Sequence, residues 1–176
     1  MVVSVVRLAD PQESLRQAIA RCDGFARLNR HGKVLLKPNI PTGFRLPPYG
    51  MTTTTSILEA LVRLLIETGC RDIAIGEGSI EVLGFGTKQG YARTEIDKLA
   101  KRYGVKLIDL NEGPFRQVEL GDFKIGIAEA VLDADFLINV PVLKTHGQTK
   151  VSLGFKNLKG CLSLASRLKF HKTKRL

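Results

Sequence analysis

Residues 135–160 read DFLINVPVLKTHGQTKVSLGFKNLKG, and the fold follows from how this stretch begins. Phe136, Leu137, Ile138 and Val140 form a short apolar run of the length that fills a strand of a parallel sheet, and Pro141, with no N–H to donate, stops further pairing. Beyond it Lys144, Thr145, His146, Gln148, Thr149, Lys150, Lys156, Asn157 and Lys159 follow within a few turns of chain, interleaved with Gly147, Gly154 and Gly160. The expectation is a buried strand that opens into a cationic, donor-rich loop.

Working outward, the same unit recurs upstream. Residues 2–8 are rich in β-branched side chains and predict a first strand, after which Asp10 reads as an N-cap with Pro11 at the first helical position. Leu15, Ala18, Ile19, Cys22 and Phe25 recur at helical spacing, and Gly24 or the 29–32 region ends that helix. Residues 33–37 (KVLLK) predict a second strand closed by Pro38, followed by a Pro- and Gly-rich surface loop over 39–51. Thr52 to Thr55 open the next helix, whose unpaired first-turn N–H groups are available to an anion. Residues 72–77 (DIAIGE) predict a third strand, Gly76, Gly78, Gly84, Gly86 and Gly90 a loop, 91–103 one helix and 105–110 a fourth strand. Segments 115–120 and 123–128 flank Gly121-Asp122 and predict a β-hairpin, and a short helix over 129–134 leads back to the opening stretch.

This alternation predicts an α/β fold: a mostly parallel sheet flanked by helices, Rossmann-like and three-layered, with the hairpin inserted at 115–128. The five strands expected in it are 2–8, 33–37, 72–77, 105–110 and 135–140. At 176 residues the chain fits a single domain over 1–176. Parallel strands end on one edge, and ligands of such sheets bind there. Lys37 and Asn39, Glu77 and Ser79, Asp109 and Asn111, and Lys144 and His146 are therefore expected to face one crevice.

The composition bounds the function. Lys and Arg number 27 against 17 Asp and Glu, a formal net charge of +10, which predicts attraction to anions. From Lys144 onward nine Lys and Arg occur with no acidic residue, so much of the excess is C-terminal. No apolar run reaches the roughly 18 residues of a membrane span. The start MVVSVVRLADP lacks a basic region followed by a long apolar one, so the expected compartment is the cytoplasm, without membrane contact. Cys22, Cys70 and Cys161 are too scattered for a disulfide framework or a metal site, so free thiols are expected, with no iron–sulfur cluster in this chain and no metal ligands assigned. The glycine run matches neither the P-loop nor the GxGxxG fingerprint, and neither GxSxG nor HExxH occurs.

The pieces KPNI (37–40), TTTTSILEALVRLLIETG (52–69), IGEGS (75–79) and the opening stretch resemble the DUF362 family, a prokaryotic group named for its unknown function. The resemblance runs over most of the chain, and its most specific parts are PVLKTH (141–146) and KNLKG (156–160). Some members carry ferredoxin-type modules with four cysteines, so the resemblance implies redox company, a ferredoxin-like partner; this chain has no clustered cysteines. Members also tend to continue past KNLKG, which implies that the C-terminal part of the usual domain is missing here, and an uncovered sheet edge or apolar face would then favour homo-oligomers.

Two function classes survive. In the first, a small phosphate- or carboxylate-containing ligand is held by Lys37, Asn39, Thr52, Thr53, Lys144, Lys156 and Asn157, because cationic side chains and helix N–H groups act together on one oxyanion. If the protein is an enzyme, His146 or Glu77 is the candidate proton acceptor or metal ligand, and Lys144 the group that stabilises developing negative charge. In the second, the basic C-terminal segment binds an acidic partner protein or nucleic acid. Aromatic residues make up only 6% of the chain, with no Trp to stack on bases, which weighs against nucleic acid.

Overall fold

The computed structural model describes residues 2–41, 50–79, 85–121, 123–147 and 149–172. Its frame is a four-stranded parallel sheet in the order β3-β2-β1-β6, built from β1 (Lys33–Pro38), β2 (Asp72–Glu77), β3 (Lys106–Asp109) and β6 (Phe136–Val140). Helix α1 (Pro11–Arg21) precedes β1, and the crossovers hold α2 (Thr55–Glu67) between β1 and β2, and α3 (Thr87–Arg93) with α4 (Ile96–Tyr103) between β2 and β3. The hairpin is β4 (Phe115–Leu120) with β5 (Phe123–Ala128), paired antiparallel, and α5 (Glu129–Leu132) returns the chain to β6. The fold class read from the alternation is the one observed.

Register explains the two faces. Val34, Leu36, Ile73, Ile75, Leu107, Phe136 and Ile138 point to one side, where they pack with Leu58, Leu61, Val62 and Leu65 of α2, Ile96 and Leu99 of α4, and Leu15 and Ile19 of α1. A smaller cluster on the other side joins Ile108 and Leu110 to Phe115, Ala128, Val131, Leu158 and Cys161. One face is thus covered by helices, and the other by the hairpin, α5 and the chain after β6.

Four expectations are corrected. Residues 2–8 form no strand: Val2, Val3, Val5 and Leu8 lie in water at 59–86% exposed, and no ladder takes up their backbone. β-Branched composition alone does not make a strand when no edge is offered to it. The helix expected over 91–103 is two helices, because Glu95 at φ 58° breaks the i→i−4 ladder between them. Gly90 belongs to α3 and Gly86 caps its N-terminus, rather than both lying in a loop, while Gly84 lies outside the described residues. Finally, β6 is half-buried along its whole length, as an edge strand must be, not enclosed on both sides.

After β6 the chain makes a ribbon of β7 (Lys144–His146) and β8 (Lys150–Ser152), then α6 (Gly154–Leu158), a 3₁₀ turn (Lys159–Cys161) and α7 (Leu164–Lys172). Helix α7 is seated by the hairpin: Gly126 N–H donates to Ser166 Oγ at 2.9 Å, and Ser163 N–H to Gly126 O at 2.8 Å.

Candidate functional site

The C-terminal ends of β1 and β2 meet over one buried ion pair. Lys37 is fully buried, and its Nζ lies 2.5 Å from Glu77 Oε1 and 2.8 Å from the Pro38 carbonyl. Glu77 spends its remaining capacity on backbone: Oε1 accepts from Gly78 N–H at 2.7 Å and Oε2 from Ile40 N–H at 3.0 Å. A charge so buried is tolerable only when paired and hydrogen-bonded, and both conditions are met.

Above this pair opens a cleft of about 410 Å³. Among the described residues its lining includes Asn39, Met51, Glu77, Ser79, Lys144, His146, Lys156, Asn157, Lys159 and Arg167. Lys144 Nζ donates to Asn39 Oδ1 and, at 2.7 Å, to the Met51 carbonyl. Asn157 ties three segments together: its Nδ2 donates to Pro38 O at 3.1 Å, Lys37 O at 3.3 Å and Asn139 Oδ1 at 2.8 Å. His146 Nδ1 accepts from Thr149 N–H at 3.4 Å, which leaves the neutral ring's proton on Nε2.

Arg167 comes from α7 and is 3% exposed. Its guanidinium donates to Leu162 O at 2.7 Å, Gly78 O at 2.6 Å, Asn111 Oδ1 at 2.6 Å and Gly160 O at 3.2 Å, all of them neutral acceptors. This positive charge has no carboxylate hydrogen-bonded to it among the described residues. Close packing holds the arrangement: a Cβ on Gly78 would sit 2.2 Å from Gly160 O, and one on Gly160 would sit 2.7 Å from Glu77 Oε1.

The field of the cleft is positive. Burial pushes the Lys144 amine below its ordinary range, helped by the positive Lys156 and opposed by Glu77. Burial does the same to Lys156 alone, and to Lys159 with help from Lys156 and Arg167. Arg167 is also pushed down by burial, with Glu77 the largest opposing influence. Desolvation and mutual repulsion are the two causes expected where several cations share a partly closed space. Among the described residues no group of three or more His, Cys, Asp or Glu is placed to hold a metal ion.

Of the residues picked from sequence, Asn39, Glu77, Lys144, His146, Lys156 and Asn157 line the cleft. Lys37 lies beneath it, paired to Glu77. Thr53 is a strut: its hydroxyl accepts from Asn39 N–H at 2.8 Å and donates to Val140 O at 2.7 Å. Helix α2 begins only at Thr55, after the exposed cap Thr54, so neither Thr52 nor the helix N-terminus is part of the lining. Sequence reasoning missed Arg167 and Lys159 as site residues. Arg167 stood in a basic run with nothing to separate it from surface charge, whereas Lys159 sat inside KNLKG and was within reach of the same argument.

The profile of a domain of unknown function, DUF362, matches residues 34–175. A thylakoid-associated protein of Synechocystis sp. is 28% identical over 151 residues, 85% of this chain and 45% of its own length. The chain therefore spans less than half of that relative. No helix among the described residues is long and apolar enough to cross a membrane.

Proposed function

The chain belongs to the DUF362 family, and from the geometry of its cleft we propose that it binds a small anion, a phosphate- or carboxylate-containing compound, at the C-terminal ends of β1 and β2. The observation that carries this reading is the charge inventory. Lys144, Lys156, Lys159 and Arg167 line the cleft, and the acidic residue in the lining, Glu77, is spent on Lys37 and two backbone N–H groups. Lys144 and Arg167 are held in place by neutral acceptors, so they meet an anion already oriented and lose little freedom on binding. His146 is the proton carrier of the site, and a ferredoxin-like redox partner fits the same reading. The three thiols are all free, in keeping with a reducing compartment, and the reading takes the cytoplasm as its setting.

Sulfate titration of the purified protein tests this. Lys144→Ala should weaken binding by about 1.5–3 kcal/mol, the worth of a charge-assisted hydrogen bond, while Lys101→Ala, on the exposed face of α4, should not. Because the Lys144 amine is pushed down and must be protonated to hold sulfate, affinity should fall as pH rises, beginning below the ordinary lysine range. Sulfate binding indifferent to Lys144→Ala would overturn the reading.

A second reading, contact with an acidic partner protein, is favoured by the outer face of the β7–β8 ribbon. Leu143, Val151 and Leu153 alternate with the cleft-lining Lys144 and Ser152 and are exposed, and Phe155 beyond them is 95% exposed. Binding of a purified acidic ferredoxin should weaken with Phe155→Asp and with added salt; insensitivity to both would sink it.

A further inference from the structure

Five cationic side chains bear on the cleft, and four are engaged. Lys37 is held by Glu77 and Pro38 O, Lys144 by Asn39 and Met51, and Arg167 by four oxygen acceptors. Lys159 is not free either. Of these five, Lys156 Nζ alone has neither a hydrogen bond nor an ion pair among the described residues, although the side chain is half-buried in the cleft wall. Its backbone is nonetheless firmly placed, because the next residue, Asn157, clamps α6 to the ends of β1 and β6. No carboxylate in the described lining is available to hold this amine as an ammonium ion, since Glu77 is committed below. Its charged neighbours are the cations Lys144 and Lys159.

Resting on the anion-binding reading, we propose that Lys156 is a nucleophile that forms an imine with a small carbonyl compound carrying an acid group. The acid group lies on Lys144 and Arg167, whose fixed charges already serve it, and the unheld amine reaches the carbonyl carbon. The neutral amine gives its lone pair to that carbon; the C–N bond forms as the carbonyl π bond breaks, and the oxygen takes a proton. Loss of that oxygen as water gives the imine, so amine and carbonyl become imine and water with no oxidant or reductant consumed. Burial favours the neutral, reactive amine, the same device that activates imine-forming lysines in apolar pockets.

The test is reductive trapping of the full chain with glyoxylate and cyanoborohydride near neutral pH, read by peptide mapping. Lys156 should be carboxymethylated at least about tenfold faster than exposed Lys33 and Lys101, and excess sulfate should suppress that label. Lys156→Arg removes the nucleophilic amine, so the selective adduct should disappear. Even labelling over surface lysines in the unaltered chain, or a selective adduct that survives Lys156→Arg, would overturn the proposal. Sulfate titration on the same preparation reads the two ideas apart: sulfate binding with unselective labelling sinks the imine alone, and selective labelling without sulfate binding sinks the anion site alone.

Discussion

At the scale of single residues, the Lys37–Glu77 pair decides more than any other contact. Removing one partner strands a buried charge, so Lys37→Met and Glu77→Gln should each cost about 3–5 kcal/mol in urea unfolding. The double variant should recover part of this and remain about 1–3 kcal/mol below the parent, because a glutamine can no longer accept from both Gly78 and Ile40 N–H groups. Equal and additive losses would mean that the pair does not act as a unit. Cys161, 4% exposed under the same floor, has its thiol pushed up to about 11 by burial, with Lys37 the largest opposing influence. Its folded value lies above its unfolded one, so the stability linked to it is full below the unfolded value near about 8.5. That contribution is lost as pH rises toward about 11. Cys161→Ser should flatten the alkaline loss of stability, and in the unaltered protein an aromatic disulfide reagent should reach partly exposed Cys22 well before Cys161.

At the scale of elements, the site is a crossing of two chain segments, the exit of β2 and the 3₁₀ turn after α6. Gly78 and Gly160 allow the crossing because neither presents a Cβ where the other's backbone or the Lys37–Glu77 pair lies. Gly78→Ala should cost about 1–3 kcal/mol by overpacking. It should also lower sulfate affinity, since the opposing atoms are the Gly160 carbonyl and the Arg167 guanidinium. Ala at Gly104, which has nothing within 4 Å of its Cβ but a φ of +66°, should cost about 1 kcal/mol of backbone strain and leave binding intact. Equal binding in both variants would argue against the crossing as the scaffold of the cleft. The hairpin acts through the same logic at longer range: β5 fixes the start of α7, and α7 carries Arg167 to the cleft floor.

At the scale of the whole molecule, the sheet sets the order of opening. β1 is bonded on both sides, by β2 and β6, and its residues are buried from Val34 onward. Its amides should exchange with solvent slowest, those of the β7–β8 ribbon faster, and those of residues 2–6 fastest. Slow exchange over 2–6 would restore the strand that the structure denies. The net charge of +10 acts at this scale too, drawing anions toward the molecule from beyond contact distance and making sulfate affinity fall with ionic strength.

Local chemistry was enough to determine the parallel sheet and most of the cleft. Short apolar runs between helical patterns read as strands, the helices between them set a parallel sense, and parallel strands bring their polar exits to one edge. For that reason Asn39, Glu77, Lys144 and His146 were legible, and so was the hairpin around Gly121. Partnership was not. Only the tertiary structure decided that Lys37 is spent on Glu77 beneath the site, that Thr53 is a strut, that residues 2–8 find no neighbouring strand, and that Arg167 arrives from α7. Sequence pattern records which side of an element is apolar, whereas the role of a charge depends on which oppositely charged or polar group, often a hundred residues away, occupies the space beside it.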